Sequence, residues 1–329
     1  MKGKMTVTSP AHVASNKTTV VGAEQAKGGT RGAKPSPASP PIRPSRQWSW
    51  IPYLLSLPGI AVCAAFLLVP LAATALLSLN SFSFYGGIAD VWKLDNYIDT
   101  LTDSYFHEIF LRTFRIAALV TLSCAALGTP QAYILRRMGA PWRSLCLLIV
   151  LGPLLISVVS RTLGWALLLG PTGLVNQGLL ALGLVSQPVE FMYTETGVVI
   201  ALVHVLVPFM VLSVWASLQR LDPQVENAAL SLGASPTTVL RRIVFPQIMP
   251  GILSGSIIVF ALAASAFATP AIIGGRRLKV AATLTYDEFL NTLNWPLGAA
   301  VAMLLLVANI VIIVGCNRLV ERRYKQVFE

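Results

Sequence analysis

Beyond residue 50 the chain alternates between long apolar runs and short polar connections. Six apolar runs lie near 51–79, 113–135, 144–169, 195–218, 247–270 and 297–317. Each is long enough for a helix to cross the hydrocarbon core of a bilayer, which takes about 20 apolar residues. Pro58, Pro70, Pro130, Pro153 and Pro208 fall inside these runs. Membrane helices tolerate such residues because neighbouring helices satisfy the freed backbone groups. The pattern predicts an all-α polytopic membrane protein with about six transmembrane helices.

Composition supports this reading. Of 329 residues, 55% are hydrophobic and 12% charged, with a mean hydropathy of +0.68. Soluble domains carry about 25% charged residues. Residues 1–47 differ, being rich in Ser, Pro, Gly, Ala, Thr and Lys. They have too little apolar surface to offset the entropy of ordering, so the expectation is a disordered basic tail followed by a transmembrane domain at 48–329. The first apolar run begins too late for a cleavable signal peptide. Cys63, Cys124, Cys146 and Cys316 all sit in apolar runs without metal-ligand spacing, and read as small buried side chains.

The net charge of +11 is mostly a topology signal. Lys and Arg concentrate in the tail, at Arg136, Arg137 and Arg143, at Arg220, Arg241 and Arg242, and after Arg318. All share one side if both termini do, which predicts that both termini are cytoplasmic. The opposite side holds Asp90, Asp95, Asp99, Asp103 and Glu108 with Lys93. Its connection near 170–194 has no Lys or Arg, while Arg276, Arg277 and Lys279 are exceptions to the bias. A nucleic-acid partner is not expected; membrane lipid is.

One connection is unlike the rest. ENAALSLGASPTTVLRRIVFP, from Glu226 to Pro246, lies between the fourth and fifth runs. Asp222-Pro223 is a helix start, with Asp as N-cap and Pro at the first helical position. Val225, Ala228, Ala229 and Leu232 recur at helical spacing. Gly233 ends that helix, and Ser235-Pro236 starts a second one running to Pro246. A DNA-reading helix-turn-helix needs a free recognition helix and a surrounding domain, which this connection lacks. A loop packed on its own bundle and a docking element for a soluble partner remain as alternatives.

NAALSLGASPTTVLRRIVFPQIMPG resembles the EAA loop of permeases from binding-protein-dependent ABC importers. Aligned on Gly233, Ala228 and Ala229 take the two alanine positions, Ala234 follows the glycine, and Pro246 is the downstream proline. Asn227 stands where the family has Glu. Either Asn227 supplies a neutral hydrogen bond there, or Glu226 contacts the partner from an angle shifted by about 100° around the helix. SRTLGWALLLGPTGLVN, HVLVPFMVLSVWASLQRLDP, FATPAIIGG and NWPLGAA are similar to the spermidine/putrescine permease subfamily. The resemblance implies the MetI-like fold of type I importer permeases, with a coupling helix pair at about 222–246. It implies two cytoplasmic ATPase subunits, a second permease, an extracytoplasmic solute-binding protein and a small solute, with polyamine favoured over other organic solutes or iron. No G-x-x-x-x-G-K-[ST] phosphate cradle occurs in the chain, so the expectation is a transporter subunit, not an enzyme, with no cofactor of its own and ATP used by its partners.

Arg161 is the most informative residue within a span. A charge there costs at least about 2.5 kcal/mol and faces a cavity, a partner or the membrane surface. Snorkelling is the plain reading. A place at the mouth of the path is the functional one, with Glu190 or Glu195 as partner. Trp165, Tyr193, Trp215 and Trp295 read either as aromatic faces for a cationic solute or, equally well, as interfacial belts. Arg115 reads as an interfacial anchor. Asp287 and Glu288, with Arg276, Arg277 and Lys279, read either as a solvated loop or as contacts for the binding protein. His107 and His204 lack zinc-type pairing. A secondary transporter without ATP would show paired broken spans with carboxylate relays. A membrane enzyme would show a metal cluster or a nucleophile set. Neither pattern is visible.

Overall fold

The computed structural model describes residues 51–328, so the tail at 1–47 lies outside the described residues. Residues 1–56 and 57–329 form separate units, and the first is described only through the opening of helix α1. α1 runs Ile51–Leu77. A hairpin of β1 (Asn80–Ser83) and β2 (Gly87–Trp92) follows, then α2 (Asp95–Thr102) and α3 (Ser104–Arg137). Asn96 Nδ2 ties α2 to the hairpin by donating to the Ser78 and Asn80 carbonyls, each at 2.9 Å. Next come α4 (Ala140–Leu155), α5 (Val158–Leu169), α6 (Leu174–Ala181) and α7 (Glu195–Leu218). The chain continues through α8 (Pro223–Ser231), α9 (Pro236–Val239), α10 (Phe245–Ala264), α11 (Ala281–Leu290) and α12 (Trp295–Phe328).

Among the described residues, six stretches are long and apolar enough to span a membrane: Ser56–Leu77, Ser104–Arg137, Val158–Ala181, Glu195–Leu218, Pro236–Ala264 and Trp295–Arg318. The second begins well before the expected 113. Asp103 caps it by accepting the Tyr105 N–H at 2.8 Å. Its first turns persist because Phe106 and Ile109 bury against Ala281, Leu284, Val301 and Leu305. The third run, expected at 144–169, is broken. Ile156 and Ser157 are extended, directly after a turn containing Pro153. Ala140–Leu155 is therefore a shorter apolar helix, and the spanning stretch Val158–Ala181 takes in α6. α6 is held by Asn176, which is fully buried. Its Nδ2 donates to the Gly170 and Val189 carbonyls at 3.0 Å, and its Oδ1 accepts the Val189 N–H at 2.8 Å.

Pro246 does not end the helix that starts at Pro236. Residues Leu240–Val244 form a π-turn that joins α9 to α10 without interruption. Proline lacks an N–H and crowds the carbonyl four residues back, so the ladder widens around it. The Phe245 N–H accordingly reaches Leu240 O, five residues back. A second π-turn, Pro270–Gly274, leads into α11.

The core lies where α3, α7 and α10 cross. Val120 and Cys124 meet Val198, Met210, Val211 and Val214 of α7 and Ile248 and Val259 of α10, all of them buried. Membrane helices gain little from apolar burial against lipid, so close packing of small residues holds them together. Gly128 admits Met210, while Gly251 and Gly255 admit Ser213, Ser217 and Met210. Ser213 Oγ donates to the Gly251 carbonyl at 2.8 Å.

Candidate functional site

α8 and α9 sit at the end of the bundle where α3 terminates. Asp222 Oδ1 accepts the Gln224 N–H at 2.9 Å, and Ser235 Oγ accepts the Thr238 N–H at 3.3 Å. Both expected N-caps are thus in place, each followed by proline. Gly233, at φ +84°, closes α8. Its N–H reaches Leu230 O at 3.0 Å, and the Ala234 N–H reaches Ala229 O at 3.1 Å. This is the double closure that a glycine in the left-handed region permits.

The polarity of α8 is inverted relative to a helix packed on its own bundle. Its one buried side chain is Glu226, 8% exposed. Val225 is 44% exposed, Leu230 43% and Leu232 89%. Asn227 and Ala228 are exposed, Ala229 and Ala234 half-buried. Pro246 lies on the outside of α10.

Glu226 is held from within the chain. Its Oε1 accepts from Arg136 Nη1 at 2.6 Å and its Oε2 from Arg137 Nη2 at 3.1 Å. Arg136 Nη2 also donates to the Leu221 carbonyl at 3.1 Å. Glu226 thus turns inward in an ion pair, while its neighbour Asn227 is exposed. In sequence, Arg136 and Arg137 stand out only as topology charges. The available signal was two cations at a helix C-terminus and a lone acid in the first turn of another helix, an arrangement that helix dipoles favour at both ends.

The expected path residues separate into two groups. Arg161 is 8% exposed and donates from Nη1 to Pro153 O. It thereby caps the last turn of α4 across the break, where carbonyls lack intrahelical partners. Its Nε has no partner among the described residues. Trp165, one turn further along α5, donates its indole N–H to His204 Nδ1 at 3.0 Å. Glu195 is elsewhere, ion-paired with Arg115 and 3.8 Å from Arg112 Nε. The suggested pairing of Arg161 with Glu195 is not formed; Arg115 is the partner of Glu195 instead. Glu190 lines a cavity of about 450 Å³ with Phe191, Tyr193 and Arg277. Arg277 stands 5.9 Å over the Tyr193 ring.

Residues 143–326 match the family model for the binding-protein-dependent transport system inner membrane component. The spermidine/putrescine transport system permease protein PotB of Salmonella typhimurium is 32% identical over 256 residues, covering 78% of this chain and 85% of that protein. PotB of Escherichia coli is likewise 32% identical over 256 residues, covering 78% and 88%. A chain in the crystal structure of a bacterial ABC transporter that imports the acidic polysaccharide alginate shares the fold, with a TM-score of 0.69 at 20% identity over 83% of this chain and 96% of that one. Helices long enough to span, the helix–glycine–helix element and the match over more than half of the chain converge. The chain belongs to the binding-protein-dependent transport system inner membrane components, as a PotB-like multi-pass permease of an ABC importer.

Proposed function

We propose that this chain forms half of the path through which a polyamine of the spermidine or putrescine class enters the cell. It pairs with a second permease, related or identical. Two cytoplasmic ATPases each hold one α8–α9 element, and an extracytoplasmic binding protein delivers the solute. Both termini and α8 are then cytoplasmic. ATP acts only in the partner subunits, and the chain carries no cofactor of its own.

The inverted polarity of α8 carries this reading. A helix that buries its glutamate and exposes Val225 and Leu232, seven positions apart and so on one side, presents an apolar face for a groove on another protein. The polyamine class rests on the relatives' names. No Asp or Glu falls within 116–135, 140–181, 196–218, 236–264 or 295–318. This chain's half of the path therefore offers a cationic solute no carboxylate relay within those segments.

A pull-down from native membranes through a C-terminal tag tests the reading. The unaltered chain retains an ATPase, and Gly233→Arg loses it while remaining in the membrane. Deleting the gene abolishes uptake of radiolabelled spermidine or putrescine. Retention of no ATPase refutes the docking role; unchanged uptake of both solutes after the deletion refutes the substrate.

A further inference from the structure

We infer that Glu226 and Arg136 form a latch that makes α8 move with α3, while α9 moves with α10. Glu226 is thus a positioning residue inside the permease rather than a contact for the ATPase. The inference rests on the reading of α8–α9 as the element that the ATPase holds.

The two halves of that element are attached differently. α9 passes into α10 through the π-turn at Leu240–Val244, so it is one helix with a span. α8 packs against α9 and against the π-turn at Leu240–Val244, and joins α9 across the Gly233 turn, where φ is +84° and a Cβ would find no neighbour within 4 Å. Nothing packs on the glycine itself. A polar tie adds α3 to these contacts. The Arg136 guanidinium bridges the Glu226 carboxylate and the Leu221 carbonyl in the turn ahead of α8. Its planar fork holds the two in one fixed geometry, where a lysine ammonium would leave them free to swivel. The Arg136 side chain is 17% exposed and that of Glu226 11%, against 58% for Arg137. The Arg136 bond is therefore the sheltered one. Arg137, standing 4.7 Å over the Tyr133 ring, closes the second oxygen from outside.

α3 has 34 residues, a rod of about 50 Å at 1.5 Å per residue. Its far end grips the segment before α11. Thr113 Oγ1 accepts the Ala281 N–H at 2.9 Å, and Arg112 Nη1 donates to Lys279 O at 3.3 Å. Arg115 pairs with Glu195 at the start of α7. A displacement of α8 thus reaches the opposite end of the bundle along one helix, provided the latch holds. Displacement of α9 travels along α10. The latch supplies a specific physical connection between the face the ATPase holds and the face the binding protein meets.

The test uses the whole complex retained through the tag, with its binding protein isolated carrying its native ligand. ATP hydrolysis is read with and without that protein. The unaltered complex hydrolyses faster when the binding protein is added. Glu226→Gln and Arg136→Gln are expected to retain the ATPase and the basal rate but to lose the rise. The exchanged pair, Glu226→Arg with Arg136→Glu, is expected to regain it. A merely structural role would lower the amount of complex and the basal rate without selectively removing the response. The latch is overturned if both single variants respond normally, or if Glu226→Gln sheds the ATPase while Arg136→Gln keeps it. Should the single variants fail to accumulate, the exchanged pair decides: recovery of complex and response supports the latch, and recovery of complex alone overturns it. Absence of any ATPase from the unaltered chain refutes the docking reading itself, a distinguishable result.

Discussion

A Cβ placed on Gly251 would lie 2.3 Å from Ser217 Oγ and 2.8 Å from the Ser213 carbonyl oxygen. The backbones of α7 and α10 approach so closely there that only hydrogen fits. Gly251→Val forces the helices apart and breaks the Ser213–Gly251 hydrogen bond. Overpacking costs about 1–3 kcal/mol in well-packed cores. The variant is expected to unfold at lower temperature in detergent. Gly315→Ala, where a Cβ meets nothing within 4 Å, is the control and leaves the midpoint unchanged. Equal midpoints for both would refute the close-packing account.

Gly233 separates strain from docking. Its φ of +84° costs a residue with a side chain about 1 kcal/mol. Its surroundings are open, so alanine brings strain without a clash. Gly233→Ala is expected to retain most of the ATPase in a pull-down, whereas Gly233→Arg loses it through bulk and charge on the docking face. Equal loss with alanine would place the requirement in the turn's conformation alone.

Thr113 and Ala281 join α3 to α11 through a buried hydrogen bond. Thr113→Val keeps the shape but strands the Ala281 N–H. Leaving such a donor unpaired costs about 1–3 kcal/mol. The expected result is faster amide exchange and earlier proteolysis in α11, with α7 unchanged. Unaltered protection of α11 would show that the bond contributes little there.

Lys279 gives α11 an alkaline limit. Its Nζ lies 2.8 Å from Asp287 Oδ2. The hydrogen bond to Asp287 raises its pKa above 10.5, against a smaller lowering by burial. A lysine whose folded pKa exceeds its unfolded value contributes stability in full below the unfolded value, and loses it as the pH rises through the folded one. Exchange protection in α11 should therefore hold from neutral pH upward and fall beyond 10.5. Asp287→Asn should flatten that fall. A step of the same size in the variant would remove the pair as its cause.

Much of the helix–glycine–helix element was legible beforehand. Asp222-Pro223, Gly233 and Ser235-Pro236 are local signals whose meaning depends on neighbouring residues, and their caps and turn formed as read. Pro246 misled, because a missing N–H can either stop a helix or widen it, and packing at Val239, Val244 and Ile248 held the helix together. The break at Ile156–Ser157 was hidden inside an apolar run, since hydropathy records solvent preference and not backbone continuity. α6 and α11 are too short to register as spans. They exist because Asn176 and Thr113 satisfy their surroundings through bonds to distant residues.

The sequence alone determined the membrane class, the position of the helix–glycine–helix element and its resemblance to importer permeases. Each follows from hydrophobic runs and local backbone preferences, which act over a few residues. Tertiary structure alone decided which way α8 turns. Glu226 and Arg136 are 90 residues apart, and no local preference specifies that a carboxylate on one helix will meet a guanidinium on another. Their pairing, and with it the outward turn of Val225 and Leu232, depends on how α3, α7 and α10 pack.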